Sequence, residues 1–198
     1  MSRTSILGVA MIVWATGGPT PAQSLFGEAQ IYEVSLRAAI GSNYKDLDGR
    51  RLPLMRVTRD SGAVWRDFED TLDPKAGHCL HPRCLLPFAK PETVEAFLTA
   101  SGMSRPLPPE LGILKEFILV DAADFETFEA RRNFARRHKI ARDTIVSVSG
   151  IGFDSTKTQA LVYVTFGCGS LCGHTTFVMT ESTSAGWTVV KTHQFIQS

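Results

Sequence analysis

The 198-residue sequence predicts an α+β domain: a mostly antiparallel sheet ending in a four-strand meander, with helices packed on one face. Three observations predict it. The last third of the chain carries four strand-like runs separated by short turn-forming stretches, the pattern of antiparallel neighbours. The stretch before it sets apolar residues at helical spacing in two places and the cap and charge pattern of a helix in a third. The composition, 43% hydrophobic and 21% charged, is that of a globular chain long enough for one core.

Residues 1–22 are expected to stand outside that domain. "MSRTSILGVAMIVWATGGPTPA" opens with Arg3, continues with an apolar run from Ile6 to Ala15, and breaks at Gly17, Gly18 and Pro19 before small residues. That is the order of a secretory signal peptide, with cleavage expected after Ala22 and an uncleaved N-terminal anchor as the alternative. The apolar run falls short of the ~20 residues a bilayer anchor needs. The single domain is then 23–198, exported to the periplasm or secreted, with no transmembrane anchor left. Removing Arg3 and no acid turns 21 basic residues into 20, against 20 acidic ones, a net charge of zero. Such a chain offers no overall field for nucleic acid or an anionic membrane.

Each element follows in order. Glu28–Ile40 reads as a helix, with Ile31, Val34, Ala38 and Ala39 at helical spacing. "LPLMRVTRD" reads as a strand, and "SGAVWRDFEDTLDPKAGHCLHPRC" as a long irregular loop. Pro91–Ala100 suits a short helix, since proline is favoured at the first helical position and Val94, Phe97 and Leu98 form one apolar face. "EFILVDA" is a strand. Asp124–Ile140 is a helix with Asp124 as its N-cap, acids near its start and Arg136, Arg137, His138 and Lys139 near its end, matching the helix dipole. Thr144–Phe153, Thr158–Gly167, "TTFVMTES" and Trp187–Ile196 are the four strands of the meander.

The candidate chemistry lies in two loops. "GHCLHPRC" holds His78, Cys79, His81 and Cys84; "CGSLCGH" holds Cys168, Cys172 and His174. An even cysteine count in an exported chain reads first as disulfides, with Cys79–Cys84 and Cys168–Cys172 the local pairing and a cross-loop pairing its competitor. The glycines at 167, 169 and 173 suit a tight turn between two strands. Were the loops to meet, the seven His and Cys residues would suit zinc or copper. Thiol redox chemistry is a weaker fit, because the gap is Cys-x-x-x-Cys and its flanks predict strands.

Other motifs are missing. No G-x-S-x-G elbow, no H-E-x-x-H and no phosphate-binding Gly loop occurs. Ser149 reads as a strand residue, and Trp187 as a packing anchor. Arg132, Arg136, Arg137 and Lys139 form a basic surface that could face an acidic partner, though their place at the C-terminal end of a helix explains them equally.

The block from Ser147 to Thr192 resembles a pattern found in a group of uncharacterised bacterial exported or envelope proteins. The matching positions are Gly152 and Phe153, Gln159 to Val164, Cys168 to Gly173, and Gly186, Trp187 and Val189. The resemblance implies export and a hairpin at the cysteine loop. It implies no activity, cofactor or catalytic residue. The sequence as a whole points to an exported, disulfide-stabilised binding or interaction domain without a cofactor and not an enzyme, with another protein as its candidate partner. The alternatives are a metal or thiol-redox protein using the two loops, and an enzyme such as a hydrolase with an unrecognised site.

Overall fold

The computed structural model describes residues 21–41, 51–58, 86–140, 144–168 and 173–196, apart from the side chains of 21–26, 168, 195 and 196. These residues form an α+β fold. In chain order the elements are α1 (Pro21–Ile40), β1 (Pro53–Met55), α2 (Pro91–Ser101), β2 (Ile118–Val120), α3 (Phe128–His138), β3 (Thr144–Val148), β4 (Gly152–Phe153), β5 (Gln159–Cys168), β6 (Gly173–Thr183) and β7 (Gly186–Ile196). One seven-stranded sheet runs β2-β1-β3-β5-β6-β7, with β4 pairing β5 beside β3. The successive antiparallel pairs β3–β5, β5–β6 and β6–β7 are the predicted meander. β1 lies parallel to both β2 and β3, so the sheet is mixed.

The helices divide between the two faces, which corrects the expectation of helices on one face. The reason is written in β5. Ala160, Leu161, Val162, Tyr163 and Val164 are all buried, so the strand has no polar face to leave in water. Ala160, Val162 and Val164 join Val178 in a core with Ile31 and Leu36 of α1. Leu161 and Tyr163 point the other way and pack with Phe177 and Met179 against Val94 and Phe97 of α2. Phe97 sets its ring edge-on to Tyr163 and Phe177, with centroids 6.0 and 5.9 Å away. α3 adds Phe134 and Ala135 to Val120, Met55 and Ile118, a third cluster at the β1–β2 end of the sheet.

The predicted strand Thr144–Phe153 is two strands, broken at Ser149–Ile151. Gly150 and Gly152 are the reason. A Cβ on Gly150 would lie 2.4 Å from the Ala100 carbonyl oxygen, and one on Gly152 would lie 2.2 Å from the Phe97 nitrogen. Only hydrogen side chains let α2 approach the backbone this closely.

Two helix starts also differ from expectation. α3 is capped by Thr127, whose Oγ1 accepts the Ala130 N–H at 3.1 Å. Asp124 instead closes a 3-10 turn over Ala122–Asp124 and pairs with Arg137 at 3.1 Å. Thr127 has the extended backbone an N-cap needs, and Phe125 between them packs on Phe134 at 5.4 Å. The backbone of α1 begins at Pro21, seven residues before Glu28 and across the expected cleavage position. No helix among the described residues is long and apolar enough to cross a membrane.

Candidate functional site

A cleft opens where four segments meet. α1 supplies Glu28 and Tyr32, one helical turn apart and so on one face. The last turn of α2 supplies Ala100, the following loop supplies Arg105, Pro106 and Pro108, and the β3–β4 break supplies Gly150 and Ile151. The cleft holds about 60 Å³ of space and opens to solvent.

Two of the cleft's polar residues, Tyr32 and Arg105, are held from behind. The Tyr32 hydroxyl donates to the Ser149 carbonyl at 3.1 Å, tying α1 to the strand break. Burial, reinforced by the Glu28 carboxylate and opposed by Arg105, pushes the Tyr32 phenol well above the usual tyrosine range. It therefore stays protonated. Arg105 is positioned through its backbone. Its N–H donates to Thr58 Oγ1 at 2.8 Å, and its carbonyl accepts the Thr58 N–H at 2.7 Å. The Arg105 guanidinium touches the Met103 sulfur at 3.8 Å and forms no ion pair among the described residues; Glu28 forms none either. Ser149 is spent. Its hydroxyl is fully buried, donates to the Gly150 carbonyl at 2.7 Å and accepts the Tyr163 N–H at 3.0 Å.

A second polar cluster lies at the other end of α2. The Asp154 side chain has no exposed surface. Its Oδ1 accepts the N–H groups of Thr158 and Gln159 at 2.7 and 2.9 Å. Its Oδ2 accepts Lys90 Nζ at 2.6 Å and the hydroxyls of Thr156 and Thr158 at 2.8 and 2.9 Å. Gln159 extends the cluster, its Oε1 accepting the Lys90 N–H at 2.9 Å and the Thr93 hydroxyl at 3.0 Å. Lys90 is the N-cap of α2 and has no side-chain cap of its own, so Gln159 caps the helix from outside. This cluster fastens the start of α2 to the turn between β4 and β5.

The residues singled out in the sequence fare unevenly. His78, Cys79, His81, Cys84 and Cys172 lie outside the described residues, as does the side chain of Cys168. His174 is half-buried at the start of β6, with its ring 5.4 Å from the Phe166 ring. Among the described residues no three His, Cys, Asp or Glu side chains gather to hold a metal ion. Arg132, Arg136, Arg137 and Lys139 are exposed on and just after α3. Arg136 donates to Asn133 within the helix, and Arg137 lies over the Phe134 ring at 5.7 Å while pairing with Asp124.

The cleft residues Glu28, Tyr32 and Arg105 escaped sequence reasoning. They come from segments far apart in the chain, and none sits in a recognisable motif. Comparison with protein-family models, with curated proteins and with solved structures finds no match to this chain.

Proposed function

We propose that the protein is an exported, disulfide-stabilised domain that binds a ligand or partner and is not an enzyme, with the cleft between α1, α2 and the β3–β4 break as its binding site. The observation that carries this reading is the state of the cleft's polar groups. Tyr32 is a fixed hydrogen-bond donor kept neutral by burial. Ser149, the hydroxyl nearest in sequence to the cleft wall, has its donor and an acceptor site engaged and no exposed surface. Nucleophilic catalysis needs the opposite, a reachable hydroxyl paired with a base. Glu28 and Arg105, which form no ion pair among the described residues, are charges suited to recognition.

Export and disulfides belong to the same reading. Residues 1–22 have the order of a signal peptide. Gly167 and Gly173 are a paired position of β5 and β6. Cys168 follows the one and Cys172 precedes the other, which favours the local Cys168–Cys172 bond, with Cys79–Cys84 as the second.

Intact mass after export tests this directly. A chain starting at Gln23, about 4 Da lighter than its reduced form, carries two disulfides and supports the reading. A chain with all thiols intact and a zinc or copper adduct under native conditions would overturn it. The metal alternative would then take its place, with His78, Cys79, His81 and Cys84 the next residues to mutate.

A further inference from the structure

The cleft carries two opposite charges that do not neutralise each other. Glu28 and Arg105 both lie close enough to the Tyr32 hydroxyl to act on it electrostatically, with opposite sign. Yet neither forms an ion pair with the other or with any described residue. Elsewhere on the surface comparable charges do pair, as Arg37 does with Glu33 at 2.9 Å and Arg56 with Asp121 at 3.0 Å. Apart from Glu28, Tyr32 and Arg105, the cleft is lined by side chains without polar atoms, Pro106, Pro108 and Ile151 among them. Small-molecule sites commonly combine such an apolar wall with a few placed polar groups.

We propose that the cleft binds a small zwitterion of the α-amino-acid or short-peptide class, its ammonium on Glu28 and its carboxylate on Arg105. The Tyr32 oxygen, whose proton is committed to the Ser149 carbonyl, keeps lone pairs to accept from the same ammonium. The guanidinium is the better half of the site, because it can take a carboxylate through two parallel hydrogen bonds. The ligand's aliphatic body lies on the proline rings and Ile151. This assignment rests on the cleft being the protein's binding site and adds the chemistry of what enters it.

The test uses the purified protein and four probes: L-leucine, the dipeptide leucyl-glycine, 4-methylpentanoate and isoamylamine. The last two are leucine without its ammonium and without its carboxylate. Binding is read by calorimetry and by amide shifts in two-dimensional NMR. The expected result is that leucine, leucyl-glycine or both move the amides of Ala100, Arg105, Gly150 and Ile151. Their relative affinity tells a free amino acid from a peptide. Each one-charge analogue should bind about tenfold more weakly, and so should leucine to Glu28→Gln and to Arg105→Met. Both variants are at solvent-accessible positions, and unchanged NMR dispersion shows that they fold.

Two results would overturn the zwitterion. If an analogue binds as tightly as leucine at these amides, or the two variants bind leucine normally, the assignment fails while the cleft stands as a site. If no probe moves a cleft amide at millimolar concentration, the zwitterion fails, and a cleft equally silent to unrelated fragments fails as a binding site too.

Discussion

Replacing Asp154 by Ala removes the acceptor at which five hydrogen bonds converge, and the structure says which losses matter. The Thr156 and Thr158 hydroxyls already lie 2.9 Å from each other and can turn to pair. Lys90 is half-exposed and can return its ammonium to water. The N–H of Gln159 is buried and that of Thr158 part-buried, and both rest on Oδ1. An orphaned buried donor costs about 1–3 kcal/mol, so the two together should cost about 3 kcal/mol. In urea, with a slope of about 2 kcal/mol/M for a domain of this size, the unfolding midpoint should fall by about 1.5 M. Tryptophan fluorescence reads it, since Trp65 and Trp187 lie in the domain 23–198. Asp154→Asn should lose less than half as much, because its oxygen keeps both N–H groups, the threonine hydroxyls can turn to accept from its NH2, and only Lys90 is left facing a donor. The pH dependence supplies an independent check. Burial pushes the Asp154 carboxyl up, but Lys90, the Gln159 N–H and the two threonine hydroxyls outweigh it and hold the group well below the usual carboxylate range. A pKa lowered by folding gives stability that is full above the unfolded value of about 4 and lost as pH falls below it. The gap between wild type and Asp154→Ala should therefore narrow below about pH 4. A loss under about 1 kcal/mol at neutral pH, or a gap that widens in acid, would refute the assignment of Asp154 as an ionised anchor.

Three further outcomes follow from single contacts. Gly152→Ala places a methyl 2.2 Å from the Phe97 nitrogen, so α2 must move; a loss of about 3 kcal/mol and a clearly lower Tm are expected in thermal unfolding. Tyr32 is kept neutral by the fold, so it should resist absorbance titration past pH ~10, and stability should fall as pH rises above that value. Tyr32→Phe should flatten that alkaline fall while costing about 1 kcal/mol at neutral pH for the bond to Ser149. Thr127→Ala removes the N-cap of α3 and should cost about 1 kcal/mol in denaturant titration.

How far the sequence was legible depends on the range over which each feature is decided. The meander is legible because strand periodicity and turn residues act within a few positions, and "QALVYVTFG" and "WTVVKTHQFI" announce themselves. The placement of helices on both faces was also written there. A run of five buried residues from Ala160 to Val164 has no solvent face, so it needs cover on both sides of the sheet, which helices on one face do not give. The break at Gly150 had a signal as well. Glycines two apart on a strand share a face, so Gly150 and Gly152 mark a bare patch where another backbone can settle. The α3 cap went to Asp124 because both Asp124 and Thr127 are good caps, and backbone geometry chose between them. The cleft was not legible. Glu28, Arg105 and Gly150 meet only after the sheet forms, and charges that stay unpaired leave no mark in a sequence.

The same architecture separates stability from binding, and that separation can be tested. α2 is fixed at both ends by different means. Its first turn is held by the Lys90–Asp154 pair and by Gln159, which accepts from Lys90 and Thr93. Its last turn rests on Gly150 and forms one wall of the cleft through Ala100. Loosening the first end should weaken the fold without reshaping the cleft, because the Gly150 contact and the Tyr32–Ser149 bond remain. Asp154→Ala should thus lower stability yet leave the affinity of any cleft ligand within about twofold under folding conditions, as expected for sites without shared partners. Gly150→Ala acts at the cleft itself, where its methyl would meet the Ala100 carbonyl at 2.4 Å. It should shift the amides of Ala100 and Ile151 and weaken the ligand by about tenfold, since a site displaced by a fraction of an ångström loses its placed contacts. Equal effects of the two substitutions on affinity would mean that α2 moves as one rigid piece and that the cleft is not independently anchored.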